Sequence, residues 1–156
     1  MEELIKPGFL NRIAEVELIY KSKVKASDRP KITHSGDAYV IFRDNWDGNK
    51  IEMQEQFKVM FLNRSNKVLG IYELSTGGMT GTVVDPKSLF CAALKAHACN
   101  IIISHNHPSG NLKPSKMDED LTQKIKMAGK LLDIQLFDHL IITSESYYSF
   151  ADEGIL

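Results

Sequence analysis

The sequence predicts an α/β protein with a mixed central sheet flanked by helices. Strand-length apolar runs, such as Ile101-Ile102-Ile103, are interleaved with segments whose apolar residues recur at helical spacing. A second observation sets the scale. The chain has 156 residues, 43% hydrophobic and 25% charged, which suits one compact domain with its own core.

Each element has its own signal. Glu15 to Lys25 alternates Val16, Leu18 and Tyr20 with polar residues and reads as a half-exposed strand. Ser27-Asp28-Arg29-Pro30 breaks it. Ser35 opens a helix, with Asp37 in its first turn to suit the helix dipole, running to about Asn45. Asp47-Gly48-Asn49 is a turn, Ile51 to Leu62 a strand, and Asn63 to Asn66 a hairpin loop into a strand over Lys67 to Leu74. The stretch Ser75 to Gly81 is glycine-rich but lacks the Lys-Ser/Thr of a phosphate-binding loop. Asp85-Pro86 pairs a cap with a proline at the first helical position, and Leu89, Phe90, Ala93, Leu94 and His97 share a face of the helix that follows. A short buried strand covers Asn100 to Ser104. Pro114-Ser115 starts another helix with a stripe of Met117, Leu121, Ile125, Ala128 and Leu132. Strands near Leu136 to Thr143 and Tyr147 to Phe150 complete the order.

Several functions are disfavoured. With 19 Lys+Arg against 20 Asp+Glu, the formal charge of −1 argues against a dedicated nucleic-acid coat. Lys21, Lys23 and Lys25 would share one face of the first strand, a pattern expected mainly of a solvated edge. No apolar run approaches the roughly 20 residues of a membrane-spanning helix. Met1 to Pro7 carries acids where a secretory signal needs a basic start. A cytoplasmic location with no membrane partner is expected. Cys91 and Cys99 match no disulfide or zinc-finger spacing and are expected as small buried residues.

The chemistry concentrates after the third strand. His105 and His107 are two residues apart at a strand end, so their imidazoles point the same way. Pro108 and Gly110 let the chain turn back, bringing Asp118, in the first turn of the next helix, towards the same point. Two nitrogens and an oxygen are the usual protein supply for a catalytic zinc that keeps its fourth position for water. Paired histidines alone can be plain edge residues, and Ser115 with Asp118 is a passable capping box. Neither explains the combination.

Such a site also needs a proton carrier, and Glu52, Glu55 and Glu73 are the upstream candidates. Strand parity places Glu55 with Ile51, Met53, Phe57, Val59 and Phe61, whereas Glu52 shares a face with Gln54, Gln56 and Lys58. Desolvation on the apolar side would raise the Glu55 pKa towards the range useful for acid-base work. Glu73 is held in reserve, because its strand is apolar on both faces.

His-x-His-Pro, six residues, Ser, two residues and Asp, with a Glu fifty positions upstream, resembles the motif of the JAMM (MPN-type) metal-dependent peptidases. Glu55-Gln56-Phe57, Ser104 to Gly110 and Asp138-His139-Leu140-Ile141 are similar to its bacterial RadC-like branch, and the likeness runs from about Ser35 to Gly154. The resemblance implies a cytidine deaminase-like fold, zinc on His105, His107 and Asp118, Glu55 as general base and acid, and Ser115 helping to stabilise an oxyanion. It divides the chain into a lead-in with a strand over 1–34, without the helix-hairpin-helix module usual in the branch, and a RadC-like JAMM/MPN domain over 35–156. The expected activity is zinc-dependent hydrolysis of an amide or isopeptide in a peptide or protein substrate. The alternative is an accessory role in DNA repair or recombination, with a structural or vestigial metal and weak DNA contact through Lys21, Lys23, Lys25, Arg29 and Lys31. Asp138 and His139 lie outside the signature and are read as a polar pair, either supporting the ligands from behind or purely structural, with the structural reading preferred.

Overall fold

The protein's structure, a computed structural model, describes residues 14, 16, 17, 19–78 and 82–156. A 3-10 turn, Ala26–Asp28, precedes helix α1 (Ser35–Asp44). Strands β1 (Gln56–Leu62) and β2 (Val68–Thr76) form a hairpin, followed by α2 (Pro86–Lys95) and β3 (Asn100–Asn106). Helix α3 (Lys116–Leu131) leads into β4 (Gln135–Ile142) and β5 (Tyr147–Ser149). The sheet order is β2-β1-β3-β4-β5. Among the described strands β3 and β4 run parallel, joined across α3, and the other pairs are antiparallel, so the sheet is mixed as expected.

The central strands are apolar on both faces because both are covered. Phe57, Val59, Phe61, Ile101 and Ile103 meet α2 and α3 through Leu89, Phe90, Ala93 and Ile125. On the other side, Met60, Leu62, Ile102, Leu140 and Ile142 pack on Ala38, Phe42 and Trp46 of α1 and its end. Full burial of one such Ile or Phe contributes about 1.5–3 kcal/mol. Local chemistry sets the element ends. Asp85 accepts a hydrogen bond from Lys87 N at 3.0 Å with Pro86 next to it, and Asn63 Oδ1 accepts from Ser65 N and Lys67 N at 2.9 and 3.0 Å across the hairpin turn.

Several elements differ from expectation. The strand over 15–25 is not formed by its described residues 19–25, so Lys21, Lys23 and Lys25 are not aligned by a strand. Among the described residues, one bridge joins this region to the start of β2, Lys31 to Lys67, with bonds from Val68 N to Pro30 O and Ile32 N to Asn66 O. The cap of α1 is His34 rather than Ser35. β1 begins at Gln56 instead of Ile51, because residues 51–54 form turns. Leu94 is 52% exposed, and His97 lies beyond the end of α2 with φ 56, so neither joins the buried face. In α3 the buried residues are Thr122, Ile125 and Gly129. Of the expected stripe, Ile125 is buried and Leu121 and Ala128 pack partly buried against the core, whereas Met117 is 80% exposed and Leu132 sits at the C-cap. Cys91 is exposed and Cys99 half-buried, instead of both being core residues. Among the described residues, no helix is long and apolar enough to cross a membrane.

Candidate metal centre

The site sits where β3 ends and α3 begins. β3 continues through Asn106, and His107 N donates to Ile142 O at 3.0 Å, which holds the chain in line just past the strand. His105 and His107 therefore face the same way, with their Nε2 atoms 3.0 Å apart. The loop returns to α3, where Ser115 is the N-cap: its Oγ accepts from Asp118 N at 3.1 Å, and Asp118 Oδ2 accepts from Ser115 N at 2.7 Å. This capping box turns the Asp118 carboxylate towards the histidines. Oδ1 lies 3.2 Å from His105 Nε2, and Oδ2 lies 3.6 Å from His107 Nε2.

Ligand atoms of His105, His107 and Asp118 thus all fall within 4.8 Å of one another, the group that spacing and parity predict. Three electron-pair donors, two of them imidazoles, suit a zinc-like ion with a position left open. Each imidazole is also tethered at its far nitrogen. His107 Nδ1 is 2.5 Å from Asn111 O, and His105 Nδ1 is 2.7 Å from His139 Nε2. Phe57 stacks parallel to the His105 ring with centroids 6.1 Å apart. Burial pushes the Asp118 carboxyl up, but hydrogen bonding to His105, His107 and Ser115 N outweighs it and holds the group far below the usual carboxylate range.

A cleft of about 650 Å³ opens over this group, and Glu55, Ser115, Lys113 and Val83 share its lining with the three candidate ligands. Glu55 lies one residue before β1, fastened by Glu55 N to Gly78 O at 3.1 Å and Gly77 N to Glu55 O at 2.8 Å. Burial pushes its carboxyl up, and His105 and His107 pull it partly back. Glu73 points elsewhere: it accepts from Thr76 Oγ1 at 2.7 Å and Gln56 Nε2 at 3.2 Å and pairs loosely with Lys58. Glu52 is exposed on a turn.

Sequence reasoning assigns no role to Asn106 or Thr122, and for His139 it prefers a structural one. Asn106, between the two histidines, is fully buried and binds the segment that carries Glu55. His139 and Thr122 form a buried chain behind His105. Asp138 and His139 are not a pair, because adjacent strand residues face opposite ways. Asp138 instead accepts from Ser149 Oγ at 2.6 Å and Ala151 N at 3.0 Å. The invariant need of a ligating histidine for a partner at its other nitrogen was the one signal that could have pointed to a buried polar residue such as His139.

Comparison with known proteins identifies the family. Residues 32–155 match the model of the RadC-like JAB domain. The chain is 49% identical over 125 residues to a "UPF0758 protein" of Flavobacterium johnsoniae, covering 80% of this chain and 53% of that one. It is 39% identical over 144 residues to a "UPF0758 protein" of Clostridium kluyveri, covering 92% of this chain and 61% of that one. It therefore spans between about half and three fifths of the length of these relatives. On the extent of the domain match and the identity to these relatives, the chain belongs to the RadC-like JAB domain family.

Proposed function

We propose that the protein is a zinc-dependent hydrolase of amide bonds, of peptidase or isopeptidase type. The observation that carries this reading is the convergence of His105, His107 and Asp118 at the floor of a cleft that Glu55 also lines. Zinc held there would supply Lewis acidity and a water whose pKa is lowered to about 7.

The chain's own groups divide the remaining work. Glu55, with its pKa raised by burial, takes up a proton at its carboxylate and delivers it to the leaving amine. Ser115 Oγ accepts from Asp118 N, which leaves its hydroxyl proton free to bind a carbonyl oxygen in the cleft as negative charge develops. Hydrogen bonds to His105 and His107 keep Asp118 ionised, and the capping box aims it. Val83 and Met117, 87% and 80% exposed on the cleft rim, offer apolar contacts to a peptide chain.

Glu55→Gln tests the reading with fluorogenic peptides and isopeptide-linked peptides on zinc-loaded protein. Activity should fall by about 10²–10⁴-fold while zinc affinity stays within a few-fold of wild type. Full activity in Glu55→Gln refutes the assignment.

A further inference from the structure

We propose that Thr122 and His139 are positioning residues that decide which nitrogen of His105 is free for a metal, an inference that rests on the metal reading above. The order of protons runs outward from Thr122. This buried hydroxyl lies 2.6 Å from the Asp118 backbone carbonyl, which only accepts, so its single proton is committed there. Its oxygen is also 2.6 Å from His139 Nδ1 and must accept, so His139 carries its proton on Nδ1.

A neutral imidazole has one N–H, and the His139 ring is neutral: it is fully buried, stacked on Phe150 at 4.6 Å, and hydrogen-bonded to His105 and Thr122 rather than to a carboxylate. Its Nε2 is therefore a bare lone pair, 2.7 Å from His105 Nδ1, which must donate. His105 Nε2 is left to bind a cation, beside His107 Nε2 and Asp118 Oδ1. His107 obeys the same rule, since Nδ1 faces the Asn111 carbonyl.

The helix that supplies Asp118 thus also fixes the tautomer of a ligand on β3, because residues four apart on α3 lie on neighbouring turns. Removing the hydroxyl strands the His139 Nδ1 proton. It then moves to Nε2, His105 Nδ1 must accept, and the His105 proton occupies the position a metal needs.

The test reads ring protonation by long-range proton–nitrogen correlation in metal-free, nitrogen-15-labelled protein at mildly alkaline pH, beside zinc affinity by competition with a chromophoric chelator. Wild type should show His139 protonated on Nδ1. Thr122→Val should move that proton to Nε2 and weaken zinc binding about 10- to 100-fold, and Thr122→Ser should restore both. A wild-type His139 protonated on Nε2 overturns the proposal, and so does a Thr122→Val that weakens zinc without moving the proton or binds it as wild type does. The wild-type spectrum and Thr122→Ser decide the matter if the valine variant fails to fold. Wild-type protein that takes up no zinc refutes the metal reading itself, a result distinct from a misplaced His139 proton.

Discussion

Replacing Asn106 should loosen the protein and its candidate active site together. The side chain is fully buried and points away from its histidine neighbours. Its amide donates to Ile51 O at 2.7 Å and Gln54 O at 2.9 Å, and its carbonyl accepts from Gln56 N at 2.7 Å. These bonds tie the turns before β1, and hence Glu55, to the end of β3. Asn106→Ala deletes all of them at about 1 kcal/mol each and leaves buried backbone groups short of partners, so a loss of about 3–5 kcal/mol is expected. Asn106→Asp keeps an acceptor for Gln56 N but turns a carboxylate towards two carbonyls, and at neutral pH it should cost at least as much. Urea unfolding with an unchanged slope measures the loss, and amide exchange at Gln56 should quicken most in Asn106→Ala, which removes its acceptor. Hydrolysis should fall further than zinc affinity does, since Glu55 moves while the ligands stay. A change in stability below about 0.5 kcal/mol, the size of an ordinary surface substitution, would refute the reasoning.

Three other outcomes follow from the same structure. Gly129→Ala would gain about 1 kcal/mol on helix propensity alone, but a Cβ there collides with the Ile134 carbonyl oxygen. Unfolding should show a net loss of about 1–3 kcal/mol; a stabilised variant contradicts the close approach. Burial pushes the Asp138 carboxyl up, against the pull of Ser149, Ala151 N and His139 N. Its contribution is full below the ordinary carboxylate pKa and is lost as pH rises through the raised folded value. Asp138→Asn should therefore gain stability relative to wild type across that interval and then level off, and a flat difference curve counts against it. Zinc at one hundred times its Kd should stabilise the protein by about 2.7 kcal/mol. Thermal unfolding with and without chelator checks this, and a His107→Ala that responds like wild type defeats the ligand assignment.

The parts of the site that were legible in the sequence are those coded locally. The parity of His105 and His107 and the capping box of Ser115 and Asp118 each span only a few residues, and the structure keeps both. The chain behind His105 needs contacts between distant elements. It also needs an irregularity: Ile101 pairs with Leu136 and Ile102 with Asp138, so β4 gains a residue at Phe137. Simple alternation would set His139 opposite Leu136, yet the extra residue brings both to the helix-covered face where His105 lies. The expected strand over 15–25 fails for another reason. Its alternation is genuine, but a strand also needs a paired edge, and among the described residues the Lys31–Lys67 bridge is the one that forms beside β2. Asn106 escaped notice because a polar residue between two ligands reads as part of their loop. Its role becomes visible only when the turns at 51–54 fold back onto β3.

Diffraction data collected on both sides of the zinc absorption edge, from crystals grown with the metal, test the central claim most directly. One anomalous peak is expected, about 2.0–2.2 Å from the Nε2 atoms of His105 and His107 and from an Asp118 oxygen, with the remaining position open to the cleft that holds Glu55. A cleft without a peak, or zinc bound only at other residues, would contradict the account.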